Sequence, residues 1–577
     1  MAEGKELKRE KPDLGGLGLS GHARNVPIIT FFAFEQELLG RQYEYTMMAN
    51  TGEISDAFSV SGQVDAMGSG ANFKTGAGKD GSGRMGIFGD ASGENLVSSL
   101  KSLTTTKSIT DPVGTWQMEL FPFINVGDYA GATWDNILGD GDWVRIEAMW
   151  HTGFTSLVMI GKIDKITVGL SVDGHGTIQS TVVISGRDIG AAAMDTPCYF
   201  NPYDTALNSN LHGMLVAQAM TADDMNPGYV VSGPGGIIVP KLLKVGTGTG
   251  LGYGLPPKVP KGLFGDEPKK WADVIDWDSF VSEGRGYIYD PQVLKPPQTL
   301  SIWQWATTYQ NPSLNECWFD VTDDPGDANS NLAFFFRERP FVNGEEGTSS
   351  PWFELIPKDV PLVQVKGISV SRGNNRVNHI HIIVQPPNGS QQMSLPLSPP
   401  HVNLEDMSVY GMKQLEFQSN FLATTKTGKG GMADWATESQ EWIGMVTDWN
   451  VLNPFYYSGV ITLATGRPDI RVGMKAVITG GPSPLFPLIP SGEKDGLDCG
   501  TCMTFYVEAV QHSWDTGISP SGETQLQVTR GYPEDKRVDD LMTMRKKWIA
   551  KTEVKTKAAL EKLKQPDAKN MDGESDS

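Results

Sequence analysis

A strand pattern that occurs twice constrains this chain more than any other feature of it. Residues 158–188 read as a long strand, a break at Asp173, Gly174, His175 and Gly176, and a return strand. In the return strand Ile178, Val182 and Ile184 share one face, and Thr177, Gln179, Thr181 and Ser185 share the other. That is the period-two alternation of a half-buried antiparallel strand. Residues 505–532 repeat the plan, with a break at Ser519, Pro520, Ser521 and Gly522 and with Leu526 and Val528 alternating in the return strand.

Elements upstream of each copy extend the match. Residues 102–120 hold a polar strand, a turn and a strand in which Trp116, Met118 and Leu120 alternate with Thr115, Gln117 and Glu119; residues 368–384 offer the same sequence of features. A third piece follows each, residues 141–150 and 470–478. Four elements thus recur in one order over 98–190 and 360–533, which reads as an internal duplication of a small antiparallel β-domain. On this reading the second copy carries an insertion, 386–455, between its second and third elements.

A chain of 577 residues is long enough for three or four domains. Its 66 Gly and 36 Pro favour a mainly β, loop-rich protein. The net charge of −20 argues against a protein that grips nucleic-acid phosphates. Four cysteines (Cys198, Cys317, Cys499 and Cys502) are too few for a disulfide scaffold and suit synthesis in the cytoplasm. The N-terminal residues lack the apolar core of a signal peptide, and no run approaches the ~18 apolar residues of a membrane helix, so a soluble protein is expected.

Several stretches invite a chemical reading. The Gly-rich run 67–89 fails as a phosphate cradle, because Lys79 is followed by Asp80 instead of Ser or Thr and Phe73 stands where the first Gly belongs. Cys499 and Cys502 are spaced like a metal knuckle or redox pair, but no second pair completes them, so structural cysteines are expected. His379 and His381 fall on one side of a strand without a visible third ligand, and solvated or interfacial histidines are the expectation. Asp320, Asp323, Asp324 and Asp327 read as an acidic surface loop, since Pro325 interrupts them and no calcium-loop pattern is present. Leu300, Trp303 and Thr307 mark a helix that Asn311 and Pro312 stop, followed by a strand over 316–321. No serine-hydrolase, zinc-protease or Cys/His protease motif occurs, so no catalytic, cofactor-binding or metal residue is assigned and no cofactor is expected.

In combination, these segments resemble the baseplate hub proteins of bacteriophage tails, the family that includes late control protein D and the hub of Mu-like contractile phages. The resemblance is carried by residues 104–120, 161–189, 301–341, 369–384 and 456–532, taken in that order. It implies two tube-like antiparallel β-barrel domains per chain and a homotrimer whose six barrels meet a six-fold tail tube or distal tail protein above and a three-fold central spike below. A three-fold ring can match six sites only if each chain supplies two. DNA would pass through the lumen of such a virion component without specific binding, and an acidic chain suits that passage.

The expected domain map is an arm (1–25), a first tube-like β-domain with the Gly-rich loop (26–197), an irregular linker with a small α+β domain (198–350), a second tube-like β-domain with the insertion (351–533), and a basic C-terminal helix with its tail (534–577). The termini are expected to contact baseplate wedge or neighbouring tail proteins, with no stable membrane insertion. The competing readings are a tail-associated peptidoglycan hydrolase, whose carboxylates fold and not spacing would position, and a carbohydrate-binding module. A hydrolase needs one site and gains nothing from a duplicated barrel.

Overall fold

A computed structural model describes residues 25–35, 44–47, 59–61, 100–122, 133–150, 155–172, 178–198, 233–248, 263, 274–284, 287–288, 300–322, 332–340, 355–373, 376–384, 401–419, 446–447, 449–450, 453–479, 503–515 and 521–533. The Gly-rich run 67–89, Cys499 and Cys502, Asp323, Asp324 and Asp327, and the basic C-terminal segment lie outside the described residues.

The protein is mainly β. In the first copy the strands are β1 (Asn25–Glu35), β2 (Leu100–Ser108), β3 (Thr115–Leu120), β4 (Trp143–Trp150), β5 (Thr155–Val172) and β6 (Ile178–Asp188). Hydrogen bonding places them in the order β2-β3-β6-β5-β4-β1. A middle block comes next, with helices α1 (Gly190–Asp195), α2 (Gly235–Gly248) and α3 (Ile302–Thr308) and the hairpin β7 (Asn315–Val321) and β8 (Leu332–Glu338). The second copy comprises β9 (Pro357–Pro361), β10 (Val365–Arg372), an inserted group of β11 (His379–Val384), α4 (Leu404–Tyr410) and β12 (Gln414–Ser419), then β13 (Tyr457–Leu463), β14 (Lys475–Thr479), β15 (Met503–Asp515) and β16 (Ser521–Pro533). Its order is β10-β13-β16-β15-β14-β9, the same path as β2-β3-β6-β5-β4.

Two register slips coincide between the copies. The first strand of each slips by one residue, between Leu100 and Ser102 and between Val365 and Gly367. The long strand of each slips again, between Ile163 and Lys165 and between Val507 and Ala509. Bulges fix local twist and register, so their coincidence aligns the copies residue by residue.

Alternation in the sequence puts the second element of the second copy at 376–384, and the structure corrects this. The counterpart of β3 is β13, whereas β11 leaves the large sheet and pairs in parallel with β12. The insertion therefore interrupts the copy after its first strand and not after its second, and it begins near residue 373 instead of 386. Alternation alone could not distinguish the two, since β11 alternates as well as any strand of the barrel does.

The second copy closes on itself. β9 pairs with β14, the 3-10 turn Leu362–Gln364 bends the chain, and β10 continues along β13 on the opposite edge. Arg467 pins this corner: its guanidinium donates to the Asp359 carbonyl at 3.1 Å and to Gln364 Oε1 at 2.9 Å. It also binds Asp469 in a two-point fork at 2.8 and 2.9 Å. Val360, Ile461, Leu463, Ile470, Ala476, Phe505, Leu526 and Val528, each at most 1% exposed, fill the interior. The barrel is therefore a packed core and has no bore. In the first copy the place beside β4 is held by β1, which pairs antiparallel where β9 pairs parallel.

The middle block wedges between the copies. Period two sends Cys317, Phe319 and Val321 of β7 into the core of the first copy and helical block, while Trp318 points into the core of the second. Trp318 stacks on Phe335 at 4.9 Å. Burial on both faces explains the unbroken apolar run Cys317, Trp318 and Phe319. Helix α3 starts where expected, with Ser301 and Gln304 forming a capping box. Asp320 is not on a surface loop: its side chain is 10% exposed and lies 3.9 Å from Arg471, whose guanidinium also donates to the Leu157 carbonyl.

Candidate functional site

The long strands β5 and β15 occupy the same place in their copies. The first part of β15 pairs with β14, as the first part of β5 pairs with β4. Beyond the bulge the two strands differ. Residues 509–515 of β15 pair antiparallel with β2 of the first copy, from Ala509 opposite Ser108 to Asp515 opposite Ser102. The two copies are thus fused edge to edge into one sheet. Residues 164–172 of β5 pair with β6 on one side, and no strand covers their other edge among the described residues.

Inside the fused seam the alternation is strict. Val510, His512 and Trp514 face inward with Leu103, Thr105 and Lys107, all at most 8% exposed, while Gln511, Ser513, Thr104 and Thr106 face outward. Lys107 lies under the seam and forms a buried ion pair with Asp188. Burial raises the Asp188 carboxyl, and the adjacent Lys107 ammonium works against that rise. His512 Nδ1 shares a hydrogen bond with Thr524 Oγ1 at 2.9 Å. Burial, followed by repulsion from Arg471 and offset by Asp469, lowers the imidazole to about 3.

That shift has a sign. Between about pH 6.5 and about 3 the unfolded chain carries a proton on His512 that the folded chain does not, so stability is full above pH 6.5 and falls as pH drops through this window. One proton corresponds to ~1.4 kcal/mol per pH unit. His512→Gln is expected to flatten that slope in urea unfolding measured from pH 7 to 4. An unchanged slope would show that His512 is already protonated in the fold.

The exposed counterpart of the seam has a different character. Val168, Leu170 and Val172 are 55%, 73% and 64% exposed on one face of β5. Val168 lies opposite Val182, which in turn lies opposite Leu120, and both of these are fully buried. The stripe is therefore the core face of the sheet continued beyond the body that covers it. Sequence reading missed it because Val168, Leu170 and Val172 look like any other core-facing alternation, and it missed the Lys107–Asp188 pair and His512 because burial cannot be read from spacing.

The residues singled out from the sequence do not converge. His379 and His381 lie partly exposed on β11, on either side of the buried Ile380, away from the large sheet. Among the described residues no group of three or more His, Cys, Asp or Glu side chains stands together as a metal site requires. A cavity of about 370 Å³ where the insertion meets the second barrel is lined by Arg339, Arg376, Arg530, Glu508 and Tyr456 among others. Burial lowers Arg530 to about 10, which leaves it cationic at neutral pH, and it donates to the Trp449 carbonyl at 2.8 Å. No helix among the described residues is long and apolar enough to cross a membrane.

No family model matches the chain, and no curated protein matches it. Among solved structures the chain is similar to the tail protein from Neisseria meningitidis MC58, at 10% identity over 78% of this chain and 96% of that one, with a TM-score of 0.36. It is similar to the 43 kDa tail protein of prophage MuSo2 from Shewanella oneidensis, at 12% identity over 75% and 94%, also at 0.36. A chain of the half-lidded Francisella PdpA-VgrG complex matches at 7% identity over 90% and 61%, again at 0.36. All three superpositions are loose.

Proposed function

We propose that this chain is a structural hub of a phage-tail baseplate: a homotrimer whose six barrels seat on a six-fold tail tube or distal tail protein and whose three-fold axis receives a central spike. One observation carries this reading. Two copies that share a five-strand order and two bulges are joined edge to edge within one chain, so the chain already contains the step that a ring of such units repeats. An interface that joins unlike surfaces head to tail closes into a ring when its rotation permits.

The packed interior of the second barrel supports the reading further. No conduit runs inside that barrel, so a DNA channel has to lie between barrels, along the axis of the assembly. A net charge of −20 suits a wall that DNA slides past without binding. The arm and the basic C-terminal segment are assigned to neighbouring tail or wedge proteins, and the protein is assigned to the virion after assembly in the bacterial cytoplasm. No enzymatic role is assigned. Native mass spectrometry of the purified chain is expected to show a species of three 62.7 kDa subunits. A monomer at micromolar concentration would reject the reading.

A further inference from the structure

We infer that the seam inside the chain recurs between chains, with the uncovered edge of β5 (residues 164–172) pairing antiparallel to the outer edge of β10 in the next subunit. The inference rests on the oligomeric reading above and adds the surfaces and their register. Among the described residues both edges end the strand order where the intrachain seam would continue it: beyond residue 163 no second strand pairs with β5, and β10 is the terminal strand of the sheet. Strand edges are hazards that folded proteins cover, charge or twist away; Lys366 and Arg372 charge the two ends of the β10 edge, and no charged residue stands between Ile166 and Val172 on β5 or between Gly367 and Ser371 on β10.

The register comes from the bulges. Lys165 is equivalent to Ala509 across the slip in the long strand, and Gly367 is equivalent to Ser102 across the slip in the first strand. Carrying the intrachain pairs over these equivalences sets Val168 opposite Val370 of the partner subunit, where His512 meets Thr105. It sets Leu170 opposite Ile368 of the partner subunit, where Trp514 meets Leu103, and Gly169 opposite Ser369 of the partner subunit, where Ser513 meets Thr104.

The chemistry of the two edges agrees with this register, although it played no part in deriving it. Ile368 and Val370 are the half-buried positions of β10, packed against the second core, while Lys366, Gly367 and Ser369 are exposed. Over 167–171 apolar residues therefore meet apolar ones and small polar residues meet small ones, while Val172 falls opposite Lys366 of the partner subunit and Ile166 opposite Arg372 of the partner subunit. A one-residue slip would set Val168 and Leu170 against Ser369 and Gly367 and lose every such match. The occupant of each edge is a second copy of this chain, because the partner needed is the equivalent of a surface the chain already binds in itself.

Paired cysteines test the register. Adjacent pairs in an antiparallel ladder alternate between hydrogen-bonded and non-hydrogen-bonded geometry, so Leu170→Cys with Ile368→Cys and Gly169→Cys with Ser369→Cys together include the closer kind. Under mild oxidation, linked dimers and trimers with no larger ladder are expected from at least one pair, and not from the single variants. The offset pair Leu170→Cys with Val370→Cys is displaced by two residues, beyond disulfide reach, and is expected to stay unlinked. Val168→Asp is expected to raise the concentration needed for assembly by about tenfold or more while circular dichroism remains that of the folded chain, since the residue is exposed in the single subunit. A trimer by native mass spectrometry in which neither matched pair links, or in which the offset pair links as readily, overturns the seam and leaves the hub reading standing. A protein that is monomeric before any substitution overturns both.

Discussion

Asp188→Asn lowers the stability of the fold by about 3–5 kcal/mol, because it leaves the Lys107 ammonium buried under the seam without its counter-charge. The substitution is nearly isosteric, and an asparagine oxygen can still accept from the Gly190 amide as Asp188 Oδ1 does at 2.9 Å. What it removes is the charge, in a place where Asp188 is 6% and Lys107 8% exposed. Water cannot take over the ammonium, and the Pro112 carbonyl at 3.3 Å remains as its other partner. Urea unfolding of the full chain measures the loss. Replacing both partners with apolar residues of similar size, Lys107→Met with Asp188→Leu, recovers most of it, since paired buried charges add little beyond what good packing supplies. A loss under 1 kcal/mol for Asp188→Asn would mean that water reaches the seam and that the two copies are joined less tightly than the strand pairing implies.

Arg467→Met costs a similar amount, about 3–5 kcal/mol, for the corresponding reason at the closing corner of the second barrel. Arg467 is 1% exposed, and its fork is the principal support of the Asp469 carboxylate. Burial alone would raise that carboxyl; the charge and hydrogen bonds of Arg467, with help from Lys358, hold it below its ordinary value. Without the fork the carboxylate loses its compensation, and the Asp359 carbonyl and the Gln364 side-chain oxygen lose their donor at the bend between β9 and β10. Lysine keeps the charge but not the planar fork, so Arg467→Lys should fall between the two. Hydrogen exchange over 357–372 gives the local readout: faster exchange there, with β13 and β16 less affected, locates the damage at the corner.

The duplication was legible in the sequence because half-buried strands announce themselves by alternation. Trp116, Met118 and Leu120 are buried and Thr115 and Gln117 exposed, as their spacing required. The exact equivalence of the copies was hidden by an exchange of bulk in the core. Trp116 lies over Gly161 and Gly186, where an added Cβ would come within 2.5 Å and 2.6 Å of its ring. Through the register, the three equivalent positions in the second copy are Gly459, Phe505 and Val528. The large side chain has moved to another strand while the layer remains filled, and interior packing constrains total volume more firmly than it constrains which residue supplies it. Residue-by-residue comparison fails at such a layer. The same exchange let β11, an ordinary alternating strand, take the place of the glycine-bearing β13 in the sequence reading. Asp320 was misplaced for a related reason: four aspartates in eight positions look like a solvated loop, and only the fold brings Arg471 to the first of them.

The proposed hub rests on the repetition of one junction, found once within each subunit and required three more times between subunits. End-on electron-microscopy views of the purified protein test that most directly. The expected particle is a closed ring of six lobes with three-fold symmetry, each subunit contributing two neighbouring lobes. A ring of any other lobe number, an open filament, or isolated two-lobed particles at micromolar concentration would contradict it.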